Sequence, residues 1–368
     1  MSSMPMRLLA RLDAAIAAAP DPFDVDCLRV ERACYLVRQG HFEPATTELD
    51  AVRSKYDARP SPSISAWLSL ADGLVSHFSE VGGAARDKMR RAHALSAAGR
   101  LMPLHALSSA WMAHMDYSRH DFESMVRHLS QALQLAHADH HAARSRANLV
   151  GALACHFAGR LDLAQPWYAR SRAHANSEGD EATLSAVMFN MASIRAANLR
   201  QVAFTAQGNS PESEHALMGA DSTINFDQMV GSVSLKALLP LLRAQILALQ
   251  GEPAQALTLY EAHLAQANAI SRLRGCMLSD QAWCRMQVGQ VDAARADALE
   301  AQAGISDDSH LDDRAATHSR LAQVFNALGD APSAQRHEVL AAVAWQDFRA
   351  LQARIVTMLG RVGPNGSL

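Results

Sequence analysis

Hydrophobic and polar positions along this chain follow the 3.6-residue period of amphipathic helices, and the alternation typical of strands is almost absent. In the stretch FAGRLDLAQPWYARSRAHA, from Phe157 to Ala175, a helical pattern stops at Gly159 and resumes within two residues. The stretch LALQGEPAQALTLYEAHLAQA, which begins at Leu247, repeats this arrangement. A glycine between two helical patterns predicts a helix hairpin, because glycine ends a helix in the left-handed conformation.

These turns recur at a nearly constant interval. The clear anchors, each closing the first helix of a pair, are Gly40, Gly159, Gly251, Gly289 and Gly329. Glu80 and His120 extend the register from Gly40 at intervals of 40, and the other adjacent intervals are 38 to 40. Such a period predicts stacked helix hairpins rather than one compact core.

Small residues test the register independently. All seven positions that lie seven residues before an anchor carry Ala or Gly: Ala33, Gly73, Ala113, Ala152, Ala244, Ala282 and Ala322. Six of the seven positions that lie five residues after an anchor carry Ala, the exception being Met125: Ala45, Ala85, Ala164, Ala256, Ala294 and Ala334. Helices approach closely only where side chains are small, so these positions predict the contacts within and between hairpins.

The register is interrupted between Gly159 and Gly251, which lie 92 residues apart. A fifth anchor is expected near Leu199, with some 12 residues left over. We expect a broken second helix and an insertion over about 207–231, in which Ser210-Pro211 favours a short helix. A tolerated surface loop and a loop that covers a ligand or contacts a partner both fit this segment.

The two ends of the chain have their own patterns. A helix is predicted over 5–19, and an uninterrupted helical pattern over about 332–359 predicts a long capping helix, with dimerisation as its alternative use. The tail 361–368 is expected to be disordered. Residues 1–360 are therefore expected to form a single all-α domain.

The repeat resembles the tetratricopeptide repeat, which has a small residue in its first helix, a glycine turn and an alanine five residues later. An aromatic residue four positions further on is present as Tyr168 and Tyr260. The period of 38 to 40 differs from the usual 34, and is similar to repeat modules of bacterial signalling proteins. The resemblance implies a right-handed α-solenoid of about eight hairpins whose first helices line a concave groove.

Composition excludes several classes of function. The net charge is −3, from 34 basic and 37 acidic residues, which predicts no direct nucleic-acid or membrane partner. No long apolar run is present, and Asp13 interrupts the N-terminal one, so we expect a cytoplasmic protein. The five cysteines form no C-x-x-C motif and are expected to be buried, unpaired residues.

No motif for catalysis or nucleotide binding is present, so an enzyme is not expected, nor is a cofactor or a metal. The nearest metal candidate is HADHH, in which His137 and His141 could share an ion if they lay on one helix. The stretch falls at a predicted join between two repeats, where polar residues simply face water.

The candidate binding surface is the exposed stripe of the first helices, at 13, 9, 6 and 2 residues before each anchor. Tyr117 and His156 lie beside this stripe and are included with it. The candidates are Trp111, His114, Tyr117, Arg146, His156, Asn190, Gln245, Asp280, Trp283, Gln287, Arg320 and Gln323. Apolar anchors interspersed with amides suit a peptide. Burial in the core is the alternative for Trp111, and a solvated position is the alternative for Arg146, Asn190, Gln245 and Arg320.

Two functions are compatible with this surface. The first is a non-catalytic scaffold that binds a protein or peptide in the groove, in bacterial signalling or transcriptional regulation. The alternative is a regulatory protein that senses a small molecule enclosed by the superhelix. The structure of the site distinguishes these functions. A scaffold should have an open, solvated groove, and a sensor should have a buried polar pocket. An enzyme should have clustered titratable groups in a cleft that excludes water.

Overall fold

The computed structural model describes residues 6–79, 84–205, 212–267, 271–306 and 309–362. These residues form seventeen α-helices and one short 3₁₀ helix, and they contain no β-strand. The prediction of an all-α protein is confirmed. The anchor Glu80, the Ser210-Pro211 pair and most of the predicted disordered tail lie outside the described residues.

Consecutive helices pack as eight pairs. Helix α1 (Arg7–Ala18), predicted over 5–19, precedes them. The first four pairs are α2 (Pro22–Gln39) with α3 (Phe42–Tyr56), α4 (Pro62–Ser79) with α5 (Ala84–Ala98), α6 (Met102–Ser118) with α7 (Phe122–Leu135), and α8 (His141–Phe157) with α9 (Leu161–Glu178). The last four are α10 (Glu181–Thr205) with α11 (Glu212–Val230), α12 (Leu239–Leu249) with α13 (Pro253–His263), α14 (Ser271–Gln287) with α15 (Val291–Ala303), and α16 (Leu311–Ala327) with α17 (Ala331–Leu359). The 3₁₀ helix Leu264–Ala267 follows α13.

The predicted turns are confirmed by the backbone. All five glycine anchors have left-handed φ angles between 73° and 88°. His120, which takes the place of glycine in the third pair, is also left-handed, with φ 57°. The small positions are buried, as expected; a Cβ on Gly73, for example, would lie 3.1 Å from the Met89 side chain.

The fifth pair differs from the prediction. Helix α10 runs through Leu199 without a break, and the segment interpreted as an insertion forms the 19-residue helix α11, which packs against α10. The expected break at Leu199 was therefore wrong. A helix does begin after Ser210-Pro211, as predicted, but at 19 residues it is not short. The physical reason is local: residues 181–205 contain neither Gly nor Pro, so nothing stops the helix there.

Distant parts of the chain meet on one side of the molecule. The Leu8 amide donates to the Gly179 carbonyl over 3.1 Å, and the Val233 amide donates to the Gln39 carbonyl over 3.0 Å. The Tyr35 hydroxyl donates to Glu181 over 2.9 Å. Helices α1 and α2 are thereby connected to the start of α10 and to the segment that precedes α12.

The long helix predicted over about 332–359 is confirmed as α17, and it packs on helices α7 and α8 from the middle of the chain. The rings of Phe348 and Phe157 lie 5.2 Å apart. Gln352 Nε2 donates to the Phe157 carbonyl over 3.0 Å, and Arg354 pairs with Glu123 at 2.6 Å. These contacts bring the last pair against the third and fourth pairs.

Candidate functional site

A cavity of about 950 Å³ lies between these parts of the chain. All eight first helices, α2, α4, α6, α8, α10, α12, α14 and α16, contribute residues to its wall. Helix α5 contributes Ala85 and Arg86, and the turn between α6 and α7 and the segment 234–238 complete the wall. The first helices of the pairs therefore supply most of this wall.

The cavity wall is rich in cationic side chains. Its basic residues are Arg38, Arg86, Arg119, Arg146 and Arg200, together with His77, His114, His120 and His310. Asp312 and Asp313 are the acidic residues of the wall within the described part of the chain. Since arginine stays protonated at neutral pH, the wall carries more positive than negative charge.

Three of the wall arginines have carboxylate partners. The pairs are Arg38 with Asp180 at 2.7 Å, Arg86 with Asp116 at 2.7 Å and Arg200 with Asp313 at 3.2 Å. Burial alone would raise the pKa of Asp180, but the Arg38 charge and the Thr183 amide lower it overall. These guanidinium groups are therefore neutralised by the protein itself.

Arg146 is different, because it is 4% exposed and forms no ion pair with any described carboxylate. Its Nε has no hydrogen-bond partner among these residues, and Thr183 Oγ1 lies at the limiting distance of 3.5 Å from Nη2. The guanidinium stacks over the Trp111 ring, 4.0 Å from its centroid. Burial, reinforced by the Arg38 charge, lowers the pKa of Arg146 although the Asp180 carboxylate acts in the opposite direction, and an arginine remains charged at pH 7.

Five of the predicted binding residues line this cavity: His114, Tyr117, Arg146, Asn190 and Gln245. The solvated position considered for Arg146 is therefore wrong. The Asn190 amide nitrogen donates to the Ala186 carbonyl of its own helix over 2.7 Å. Together these residues give the cavity one guanidinium and several groups capable of hydrogen bonding.

Trp111 and His156 do not face the cavity and form part of the core. Each is 2% exposed. Trp111 supports Arg146 from behind, which agrees with the core alternative considered for it. His156 hydrogen-bonds to the Tyr168 hydroxyl at 3.1 Å, and burial lowers its pKa to about 4. The prediction of a groove position is wrong for both residues.

The predicted residues of the last pairs also lie outside the cavity wall. Arg320 is buried and donates to Asp280 over 2.8 Å, so the solvated alternative for Arg320 is wrong as well. The Trp283 ring packs beside the Arg320 guanidinium, 5.5 Å away. Gln287 and Gln323 are exposed. These five residues do not belong to the candidate site.

Several wall residues were missed by the sequence analysis. Arg38 and Phe78 lie two residues before the anchors Gly40 and Glu80, so the same stripe rule, applied to the first two pairs, would have found them. Arg200, Asp312 and Asp313 carried no such signal, because they fall outside the stripe positions. Their role in the wall depends on contacts between distant repeats.

The wall also contains a cluster of His120, His310 and Asp312, whose ligand atoms all lie within 4.8 Å of one another. The two imidazole rings stack with their centroids 3.5 Å apart and their planes at 20°. Burial, followed by the Asp313 charge, raises the pKa of Asp312 to about 7. The cluster joins the turn between α6 and α7 to the start of α16.

The HADHH stretch does not form a site of this kind. His137 lies before α8, which begins at His141, so the two are not on one helix. His137 Nδ1 lies 2.5 Å from Asp139 on the exposed surface, whereas His141 Nδ1 lies 2.9 Å from His174 Nδ1. The two side chains have different partners, and the join between repeats is where the sequence predicted it.

Helix α17 exposes three aliphatic side chains that are close together in sequence: Val339, Leu340 and Val343. A dimer through this helix stays a prediction.

All five cysteines are free, and four of them are buried.

No protein-family model matches this chain, and no curated protein sequence matches it significantly. Among the helices in the described ranges, none combines the length and the apolar character that a bilayer-spanning segment requires.

Proposed function

We propose that this protein is a non-catalytic regulatory protein that encloses a small anionic ligand within a solenoid of tetratricopeptide-like hairpins. The observation that carries this proposal is Arg146, a buried guanidinium that lines the cavity without a carboxylate partner among the described residues. The eight helix pairs and the left-handed glycine turns support the solenoid.

A buried charge without a partner is costly, and its effective penalty is several kcal/mol. A carboxylate or phosphate group would remove this penalty, because it accepts charge-assisted hydrogen bonds from the guanidinium fork. Since Asp180 already neutralises Arg38, the Arg146 guanidinium is the group that an anion placed there would contact. The ligand class that fits is therefore a small molecule with a carboxylate or phosphate.

The dimensions and the remaining wall residues fit such a molecule. Ligand pockets span roughly 300–1,000 Å³, and this cavity is near the upper end at about 950 Å³. Asn190 and Gln245 provide amide groups, while Phe78 and Phe157 provide apolar surface. A ligand with an anionic head and a partly apolar body would use both kinds of wall.

A short peptide whose terminal carboxylate reaches Arg146 is the second candidate. The amides of Asn190 and Gln245 favour it, because such groups recognise peptide backbone. A longer protein segment requires an extended groove. The cavity volume of about 950 Å³ lies instead within the range of small-molecule pockets, which supports a small molecule over a folded partner.

The test is a thermal-shift screen of carboxylates and phosphates, followed by calorimetry, on the wild type and on Arg146→Met. Arg172→Met is the matched control, because Arg172 lies exposed on α9. We expect ligands that stabilise the wild type and the control but not Arg146→Met. Equal binding to all three proteins would contradict the proposal, as would an extended peptide that binds more tightly than any small anion.

A further inference from the structure

The cluster of His120, His310 and Asp312 carries a second inference, which is independent of the anionic ligand. We infer that these three side chains form a binding site for a divalent transition-metal ion, of the kind that Zn²⁺ or Co²⁺ represents. Two imidazoles and one carboxylate are a common protein ligand set for such ions. Each of the three residues is partly exposed, so an ion in the cavity could reach them.

The Asp312 carboxylate supplies an observation that points to a ligand. Its Oδ1 atom is closed off from solvent and has no partner in hydrogen-bonding geometry among the described residues, although the Asp312 and Asp313 amides act on the carboxylate to lower its pKa. The neighbouring Asp313 differs, because its carboxylate is paired with Arg200. A buried carboxylate oxygen without a donor is costly, and a cation held between Asp312 and the two histidines would remove that cost.

The backbone at His120 adds to this argument. Residues with a Cβ are disfavoured in the left-handed conformation by roughly 1–2 kcal/mol, and the clear anchors of the other pairs carry glycine there. His120 adopts this conformation with φ 57°, which directs its ring onto His310. The residue that takes the place of glycine in this turn therefore brings an imidazole into the cluster.

Small movements are enough to complete the coordination. With metal–ligand bonds of about 2.0–2.2 Å, ligand atoms lie about 3–4 Å apart, compared with the 4.8 Å limit here. His310 immediately precedes α16, so its side chain is not held within a helical turn. Nitrogen ligands favour Zn²⁺ or Co²⁺ over Mg²⁺ or Ca²⁺, which prefer oxygen.

The ion would also have a structural effect. His120 lies in the third helix pair and the other two ligands belong to the start of the eighth, so one ion would link the two parts of the cavity wall. An ion that binds only the folded protein stabilises it by mass action. The coordination positions that the protein leaves open would face the cavity, which lies against all three residues.

The experiment uses the full chain, freed of metal by a chelator and then titrated with Zn²⁺ and, separately, with Co²⁺. Zn²⁺ affinity is measured by competition with a chromophoric chelator, and Co²⁺ coordination by its visible absorption. We expect one ion per chain at this site, accompanied by a rise in Tm. His120→Gly and Asp312→Asn should each weaken Zn²⁺ binding more than about tenfold, since each removes a ligand.

Both variants are chosen to preserve the fold. Glycine is at ease in the left-handed conformation of residue 120, and asparagine has the shape of aspartate. His137→Ala is the matched control, because His137 is an exposed histidine that also lies beside a carboxylate. Arg146→Met should leave the metal affinity unchanged, so failure of the anion proposal and failure of this one can be told apart.

Two outcomes would overturn the inference. One is the absence of any Zn²⁺ or Co²⁺ signal from the metal-free wild type. The other is an affinity that His120→Gly and Asp312→Asn leave unchanged while His137→Ala lowers it, which would assign the binding to surface histidines.

Discussion

Replacement of Arg146 by methionine should stabilise the unliganded protein. An unpaired buried ion costs several kcal/mol, and methionine fills much of the same space without a charge. The stacking on Trp111 at 4.0 Å offsets about 2 kcal/mol of this cost. The contact with Thr183 at 3.5 Å is too long to add much. We therefore expect a gain of about 1–3 kcal/mol in the free energy of unfolding.

The corresponding change at Arg38 should have the opposite sign. Arg38→Met leaves Asp180, whose side chain is 3% exposed, as a buried carboxylate without its partner. Breaking one half of a buried pair costs about 3–5 kcal/mol. The two arginines share a cavity wall and a residue type, so the comparison isolates the effect of the counter-ion.

Chemical denaturation of both variants and the wild type, without added anions, measures this difference. For a chain of 368 residues the unfolding entropy is about 0.8 kcal/mol per kelvin, so 2 kcal/mol corresponds to a Tm shift of only about 2–3 °C. Denaturant midpoints are therefore the better measure. A similar loss of stability in both variants would refute the reasoning, because it would mean that Arg146 is neutralised within the protein.

Three further predictions concern other parts of the molecule. Burial lowers the pKa of His318 and His337 from 6.5 to about 4, so the free energy of unfolding is highest above pH 6.5 and decreases as the pH falls towards 4. His337→Phe should reduce this decrease in denaturation curves recorded across the pH range, and an unchanged pH profile would contradict the prediction. Gly40→Ala should destabilise the protein by more than the strain of about 1 kcal/mol expected for Gly251→Ala. A Cβ at position 40 would lie 2.8 Å from the Val233 side chain, whereas a Cβ at position 251 would meet nothing, and equal denaturant midpoints for the two variants would count against that contact. If α17 forms a dimer, Val343→Glu, at a side chain 53% exposed, should halve the mass in sedimentation velocity, and a monomeric wild type would rule the dimer out.

The helix pairs could be predicted from sequence because their signals are local. A left-handed turn requires glycine or a tolerated substitute, and a close helix approach requires alanine or glycine. Both constraints act within one repeat, so residues such as Gly289 and Ala282 indicate a helix pair without knowledge of the rest of the chain. The prediction failed at Leu199, where the expected period outweighed the local evidence of an uninterrupted helix.

The candidate site could be predicted only in part. His114 and Asn190 lie where the stripe rule puts them, because their helices face the cavity in the expected orientation. The cluster of His120, His310 and Asp312 had no sequence signal, since it depends on contact between the third and eighth pairs. Such a contact is set by the curvature of the whole stack, which no single repeat determines.

The unexpected length of α10 also explains why Arg320 of the last pair is not a groove residue. Its final turns carry Phe204, whose ring lies 4.9 Å from the Arg320 guanidinium and 6.5 Å from the Trp345 ring. Helix α10 therefore covers the part of α16 that carries Arg320, and Arg320 is buried against Asp280. Had α10 ended near Leu199, as predicted, Phe204 would not lie over this guanidinium. The missed continuation of one helix thus explains why Arg320, which was expected in the groove, belongs to the core.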